Sequence, residues 1–136
     1  MSRLTGRATS FPNGVRSYPS DSRTELLTAT TDTLVTTTDS GATFICTNTS
    51  GTTITLPSIA VGNVFTIVNG APDGTILTID PAALDGIAYA GSSTDNKDLI
   101  NTAATAKKGD YVTLGSGLST AAWQVYEIQG VWAKEA

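Results

Sequence analysis

From residue 31 onward, short runs of β-branched and aromatic residues alternate with Gly, Asn and Asp turns, and this spacing leaves room for little but strands. The runs fall at 33–37, 43–47, 52–56, 63–69, 75–79, 87–89, 99–102, 111–115, 122–128 and 129–133. Thr, Val, Ile, Phe, Tyr and Trp dominate them, the residues that fit a pleated, half-buried surface. Between them, Asn69-Gly70 and Asp73-Gly74 supply the positive φ angles of tight reversals, and Asn48 to Gly51 makes a four-residue connection. Pro57 and Pro72 stand just outside runs, where a missing N–H is harmless. Helical character is confined to 23–28, 81–84 and 103–108, of which 81–84 has room for a single turn. The fold class expected is all-β.

A weak internal repeat supports that class. Gly41-Ala42-Thr43-Phe44 returns 21 positions later as Gly62-Asn63-Val64-Phe65, and each opens an apolar run ending in Asn48 or Asn69. A second run follows each, Thr53-Ile54-Thr55-Leu56 and Thr75-Ile76-Leu77-Thr78, with a fainter third copy from Gly109. The units read as successive hairpins, and their drifting period argues against a repeat solenoid.

Two runs lack clean alternation. Val64 and Val68 lie on the opposite face from Phe65 and Ile67, and Tyr126 and Ile128 oppose Trp123 and Val125. A sheet with one solvated face should be polar at alternate positions. Either a few apolar residues are simply exposed, which is common, or one surface is buried against sister subunits, which apolar faces on both sides favour and which would also cover open sheet edges.

Chemical tools are scarce. Histidine is absent, so no triad or dyad with an imidazole base can be assembled. Cys46 is the one cysteine, which excludes an internal disulfide and a Cys/His zinc site. It falls inside a run and reads as a small core residue. Among the acids, Asp73, Asp85 and Asp110 each adjoin a glycine and read as turn residues rather than a glycosidase pair, with Asp80, Asp95 and Asp98 remaining. Asp95-Asn96-Lys97-Asp98 offers oxygen ligands without the alternation and closing Glu of a calcium hand. Gly115-Ser116-Gly117 lacks the lysine of a phosphate loop. Trp123 and Trp132 would suit a sugar platform, but more commonly such a pair closes a core or a subunit interface. No active site, cofactor site, metal site or small-molecule substrate is expected, and no apolar stretch is long enough to span a membrane.

Charge is divided along the chain. Residues 1–23 hold all four arginines against one acid, a net +3, while 24–136 hold all four lysines against eleven acids, a net -7. The first segment also carries the rings Phe11 and Tyr18, the turn Pro12-Asn13-Gly14, and Pro19, and leads into no signal-peptide apolar core. Guanidinium forks with aromatic anchors suit an arm lying on a protein surface, which places 1–30 as an extended arm and 31–136 as an oligomerising β domain. A nucleic-acid partner is not expected, because the acidic body would repel phosphate.

The order Thr53-Ile54-Thr55-Leu56-Pro57-Ser58, Gly62-Asn63-Val64-Phe65-Thr66-Ile67 and Thr75-Ile76-Leu77-Thr78-Ile79 resembles tailed-phage virion proteins, as do Tyr111-Val112-Thr113-Leu114, Trp123-Gln124-Val125 and Gly130-Val131-Trp132. The likeness, spanning roughly 31–132, is to small head decoration (cement) proteins and to tail-fibre modules. It implies a compact antiparallel β-sandwich, β-tulip-like, that forms a homotrimer on the outer capsid surface. Its partner would be the major capsid protein, with arms crossing the seams between capsid subunits. On that resemblance Arg3, Arg7, Phe11, Arg16 and Tyr18 would contact the capsid, and Val64, Val68, Tyr126 and Trp132 would form the subunit interface. The alternative it leaves is a tail-fibre or receptor- and glycan-binding module; a carbohydrate-active enzyme is a third.

Overall fold

The computed structural model describes residues 26–35, 39–116 and 121–136. Eleven strands are found there: β1 (Leu26–Ala29), β2 (Thr33–Leu34), β3 (Thr43–Cys46), β4 (Thr52–Thr55), β5 (Val64–Asn69), β6 (Leu77–Asp80), β7 (Gly86–Ala88), β8 (Leu99–Asn101), β9 (Tyr111–Gly115), β10 (Ala122–Gln129) and β11 (Ala133–Lys134). They form two sheets, one ordered β1-β3-β5-β9-β10-β7 (sheet A) and the other β11-β8-β6-β4-β2 (sheet B). The all-β sandwich expected from the sequence is present. Its pairing is mixed rather than antiparallel throughout.

The first six strands alternate between the sheets, odd in A and even in B, and each pairs in parallel with the strand one turn earlier. The chain therefore coils through three two-strand turns, and the units read as hairpins are turns of this coil. Consecutive strands face each other across the core instead of lying side by side. Register shows why the repeat drifts: Leu26 pairs with Thr43, Thr33 with Ile54, Thr43 with Thr66 and Thr52 with Leu77, so successive strands advance by 17, 21, 23 and 25 residues. The 21-residue sequence period differs from the 23-residue register by one full pleat, so Phe44 and Phe65 both still point inward. In the second run the equivalence fails. Ile54 matches buried Ile79 rather than exposed Ile76, and the strand begins at Leu77, two residues later than its composition suggests. Antiparallel strands β8 and β9 then close the two sheets against β6 and β5.

Strands β3 to β6 and β8 bury alternate residues, as with the inward Thr52 and Ile54 of β4 against the outward Thr53 and Thr55. Sheet A contributes Phe44, Phe65, Ile67, Leu114 and Trp123 to the core; sheet B contributes Ile54, Leu77, Ile79, Leu99 and, beyond β8, Trp132. Phe65 and Trp123 meet at the centre with ring centroids 5.7 Å apart and tilted by 54°. The sheets are also tied by a buried polar network. Asn69 on β5 donates to Asn101 on β8 at 2.8 Å, and Asn101 donates to Asp110 at 2.9 Å, whose same oxygen accepts the Lys107 N–H at 2.9 Å. Asn69 further donates to the Thr75 carbonyl and accepts from the Ala71 N–H. Gly130 is required beside this network: its φ is +95° and a Cβ there would lie 2.2 Å from the Asp110 carboxyl carbon.

Three expectations need local correction. Residues 26–29, assigned to the arm and to a helix-like fragment, form the edge strand of sheet A, because Leu26 to Ala29 extends along β3. The run 129–133 is not one strand; it breaks at Gly130 between β10 and β11. Fragment 103–108 folds as a turn held by Ala106 N–H on the Thr102 carbonyl, and 81–84 as the single turn expected, held by Asp85 N–H on Ala82.

Candidate functional site

The outer face of sheet A gathers three of the four residues expected at a subunit interface. Val64 and Val68 occupy outward positions of β5 and are half-buried, since their inward neighbours Phe65, Ile67 and Asn69 take the core. Across the sheet Val68 lies between Ile45 and Tyr111, and Val64 lies beside Gly115. Tyr126, 54% exposed, covers Gly115: a Cβ at that glycine would stand 2.1 Å from the tyrosine ring. Glycine at 115 is thus what lets the ring lie flat on the sheet next to Val64. Between the two apolar rows runs a polar one, in which Thr43, Thr66 and Thr113 are in register and the hydroxyls of Thr66 and Thr113 are 2.9 Å apart.

The fourth residue, Trp132, does not join them. It is 5% exposed, packs into the core and donates its indole N–H to the Gln129 carbonyl at 2.8 Å. Trp123 is fully buried as well, so neither tryptophan offers a sugar platform. The apolar pattern of β10 also has a different origin from the one its sequence suggests. A bulge between Val125 and Glu127 places an extra residue, Tyr126, opposite β9, so Val125 pairs with Leu114 and Ile128 with Val112. Trp123, Val125 and Ile128 therefore all face the core, and Tyr126 alone is turned out. The capsid-contact candidates Arg3, Arg7, Phe11, Arg16 and Tyr18 lie outside the described residues.

Electrostatics around this face are modest. The Tyr111 hydroxyl donates to the Glu127 carboxylate at 2.9 Å, and that bond holds the phenol proton more tightly than usual. Asp73 lies below the ordinary carboxylate range because it accepts the Lys108 N–H and a hydrogen bond from the Lys107 ammonium, 3.3 Å away. Asp85 is buried and accepts the Ile59 N–H at 3.0 Å, pinning the loop before β5 to the turn before β7. Asp98 is pushed up, first by burial, then by the neighbouring Asp80 and Glu135 carboxylates. Burial pushes the Cys46 thiol up to about 12, so it stays protonated and unreactive. Among the described residues no three His, Cys, Asp or Glu side chains are placed to hold a metal ion, and no helix is long and apolar enough to cross a membrane.

The residues that sequence reasoning missed are Asp32 and Asn48. They meet Thr53 and Thr78 in an open groove of about 460 Å³ beside the outer face of sheet B. Each reads in isolation as a loop residue, and nothing in their spacing announces that the coil brings them together.

The fold defines the class: a two-layer, all-β sandwich built on a short parallel coil. No known protein family matches the chain, and no curated protein does.

Proposed function

We propose that the chain is a virion structural protein of a tailed phage, a head decoration protein that binds the outer capsid surface as a homotrimer. The observation that carries the reading is the division between an arginine-rich first segment, net +3, and an acidic body, net -7. In this reading Phe11 and Tyr18 are buried anchors on the major capsid protein, and Arg3, Arg7 and Arg16 pair with its carboxylates. The body trimerises through the outer face of sheet A, where Val64, Val68 and Tyr126 are presented together. Trp132 has no part in that contact, since the core already holds it.

The work such a protein does is mechanical. A capsid filled with DNA fails where subunits separate at their seams. A trimer that grips several subunits at once gains avidity from its symmetry, because each further arm binds at a high effective concentration. It stabilises the shell because it binds the assembled state and not the dissociated one. Removing residues 1–20 should abolish binding to shells of the major capsid protein from the same genome while leaving the trimer intact. Undiminished binding by that truncation would sink the assignment.

A further inference from the structure

We infer that the groove on sheet B is a binding site for a neutral saccharide. It is built from the β1–β2 loop, the β3–β4 loop and the outward positions of β4 and β6, lined by Asp32, Asn48, Ser50, Thr53, Ile76 and Thr78. Two of its polar groups are pinned by the backbone. Asp32 accepts the Thr53 N–H through Oδ1 at 2.8 Å, which holds the carboxylate against the sheet; Oδ2 accepts no hydrogen bond from the described residues. Asn48 accepts the Ser50 N–H through Oδ1 at 3.0 Å, and because that N–H needs an acceptor, the amide Nδ2 is the end left to donate. Thr53 and Thr78 sit side by side in register and add two hydroxyls. Ile76, 45% exposed, supplies an apolar floor.

That donor and acceptor set selects its ligand by exclusion. The one charged lining group is a carboxylate, which repels phosphate, sulfate and carboxylate ligands. A metal ion would find one carboxylate and no supporting cluster. A guanidinium or ammonium ligand brings donors only: Asp32 Oδ2 and the Thr53 and Thr78 hydroxyls can accept from it, but it leaves the Asn48 amide N–H without an acceptor, and a single free carboxylate oxygen denies it a bidentate fork. A sugar hydroxyl both donates and accepts. Adjacent hydroxyls of one ring can donate to Asp32 Oδ2 and accept from Asn48 Nδ2, with the ring's C–H face on Ile76. The groove lies on the face of the sandwich opposite the outer face of sheet A, so it stays open in a trimer built there. The inference does not rest on the capsid reading.

The test is a two-dimensional amide NMR titration of the full chain with methyl glycosides of glucose, galactose, mannose and N-acetylglucosamine, one at a time. At least one should shift the Ser50, Thr53, Ile76 and Thr78 amides selectively, with a dissociation constant of about 1 mM, the strength of a small open site. Asp32→Asn keeps an acceptor for Thr53 and replaces the free carboxylate oxygen with a donor. Asn48→Asp keeps the acceptor for Ser50 and replaces the donor. Each should weaken binding about tenfold or more while the spectrum of the free protein stays unchanged away from the groove. Failure of all four sugars to move those amides would overturn the inference, as would binding that survives both substitutions. Shifts of the same amides with calcium chloride or with arginine methyl ester, and not with the sugars, would also overturn it.

Discussion

At Thr52 the chain carries a buried hydroxyl without a hydrogen-bond partner, on the inward face of β4. Such a group loses its water on folding and regains nothing, so Thr52→Val should stabilise the protein by about 1 kcal/mol, read as a raised midpoint in urea with unchanged slope. The opposite case is Asn101, every polar atom of which is engaged: it donates to Asp110 and to the Val131 carbonyl and accepts from Asn69. Asn101→Ala would leave one Asn69 amide N–H, one Asp110 lone pair and the Val131 carbonyl without these partners inside the sandwich, and a cost of about 3 kcal/mol is expected in the same experiment. The contrast explains why the core buries Asn69, Asn101 and Asp110. They hold sheet A to sheet B and fix the 107–110 turn between them. Asp110 read from the sequence as a turn residue, and it is one; its second task, closing the network, depends on partners 9 residues away and across the core.

At the scale of strands, the positions of the runs were legible and their parity only in part. Burial alternates along Thr43–Cys46, Thr52–Thr55 and Val64–Asn69, yet the last is apolar on both faces in sequence and turns the polar Asn69 inward. Direction of pairing leaves no trace in that pattern, so the parallel coil was invisible and its turns passed for hairpins. The bulge at Tyr126 was invisible for a related reason: one extra residue reverses parity, and the sequence records only two apolar sets where the structure has one buried set and a single outlying ring. Gly115→Ala tests that geometry. Its methyl would collide with the Tyr126 ring, so the ring should leave the sheet and the Val64 methyl resonances should shift by NMR, with little change elsewhere. The β6–β8 pair carries an electrostatic conflict, since Asp98 stands against Asp80 just beyond the paired Ile79 and Leu99. An acid whose folded pKa is raised favours folding most below its unfolded pKa, and that contribution is lost as pH rises through the folded value. Asp98→Asn should therefore stabilise the protein at pH 7 by about 0.5 kcal/mol, the scale of one cross-strand pair screened by solvent, and flatten the stability profile on the alkaline side of the ordinary carboxylate range.

At the scale of the molecule, the two outer faces of one sandwich are assigned different tasks. On the proposed reading the outer face of sheet A, with Ile45, Val64, Val68 and Tyr126, contacts sister subunits, while sheet B presents a polar groove. Its own edges need little cover, for β1, β7, β2 and β11 are each four residues or fewer. In light scattering the chain should weigh three times 14.0 kDa, and Val68→Glu, which sets a charge in the middle of the apolar rows, should return it to a monomer without unfolding it. That variant separates assembly from attachment, because the contacts proposed for Arg3 to Tyr18 belong to a different part of the sequence. Attachment is the claim on which the functional account stands. The direct measurement is co-sedimentation of the full chain, and of the chain lacking residues 1–20, with expanded shells of the major capsid protein from the same genome. The account predicts that the full chain pellets with the shells at a fixed stoichiometry and that the truncated trimer stays in solution; a truncated chain that pellets equally, or a full chain that does not pellet, would contradict it.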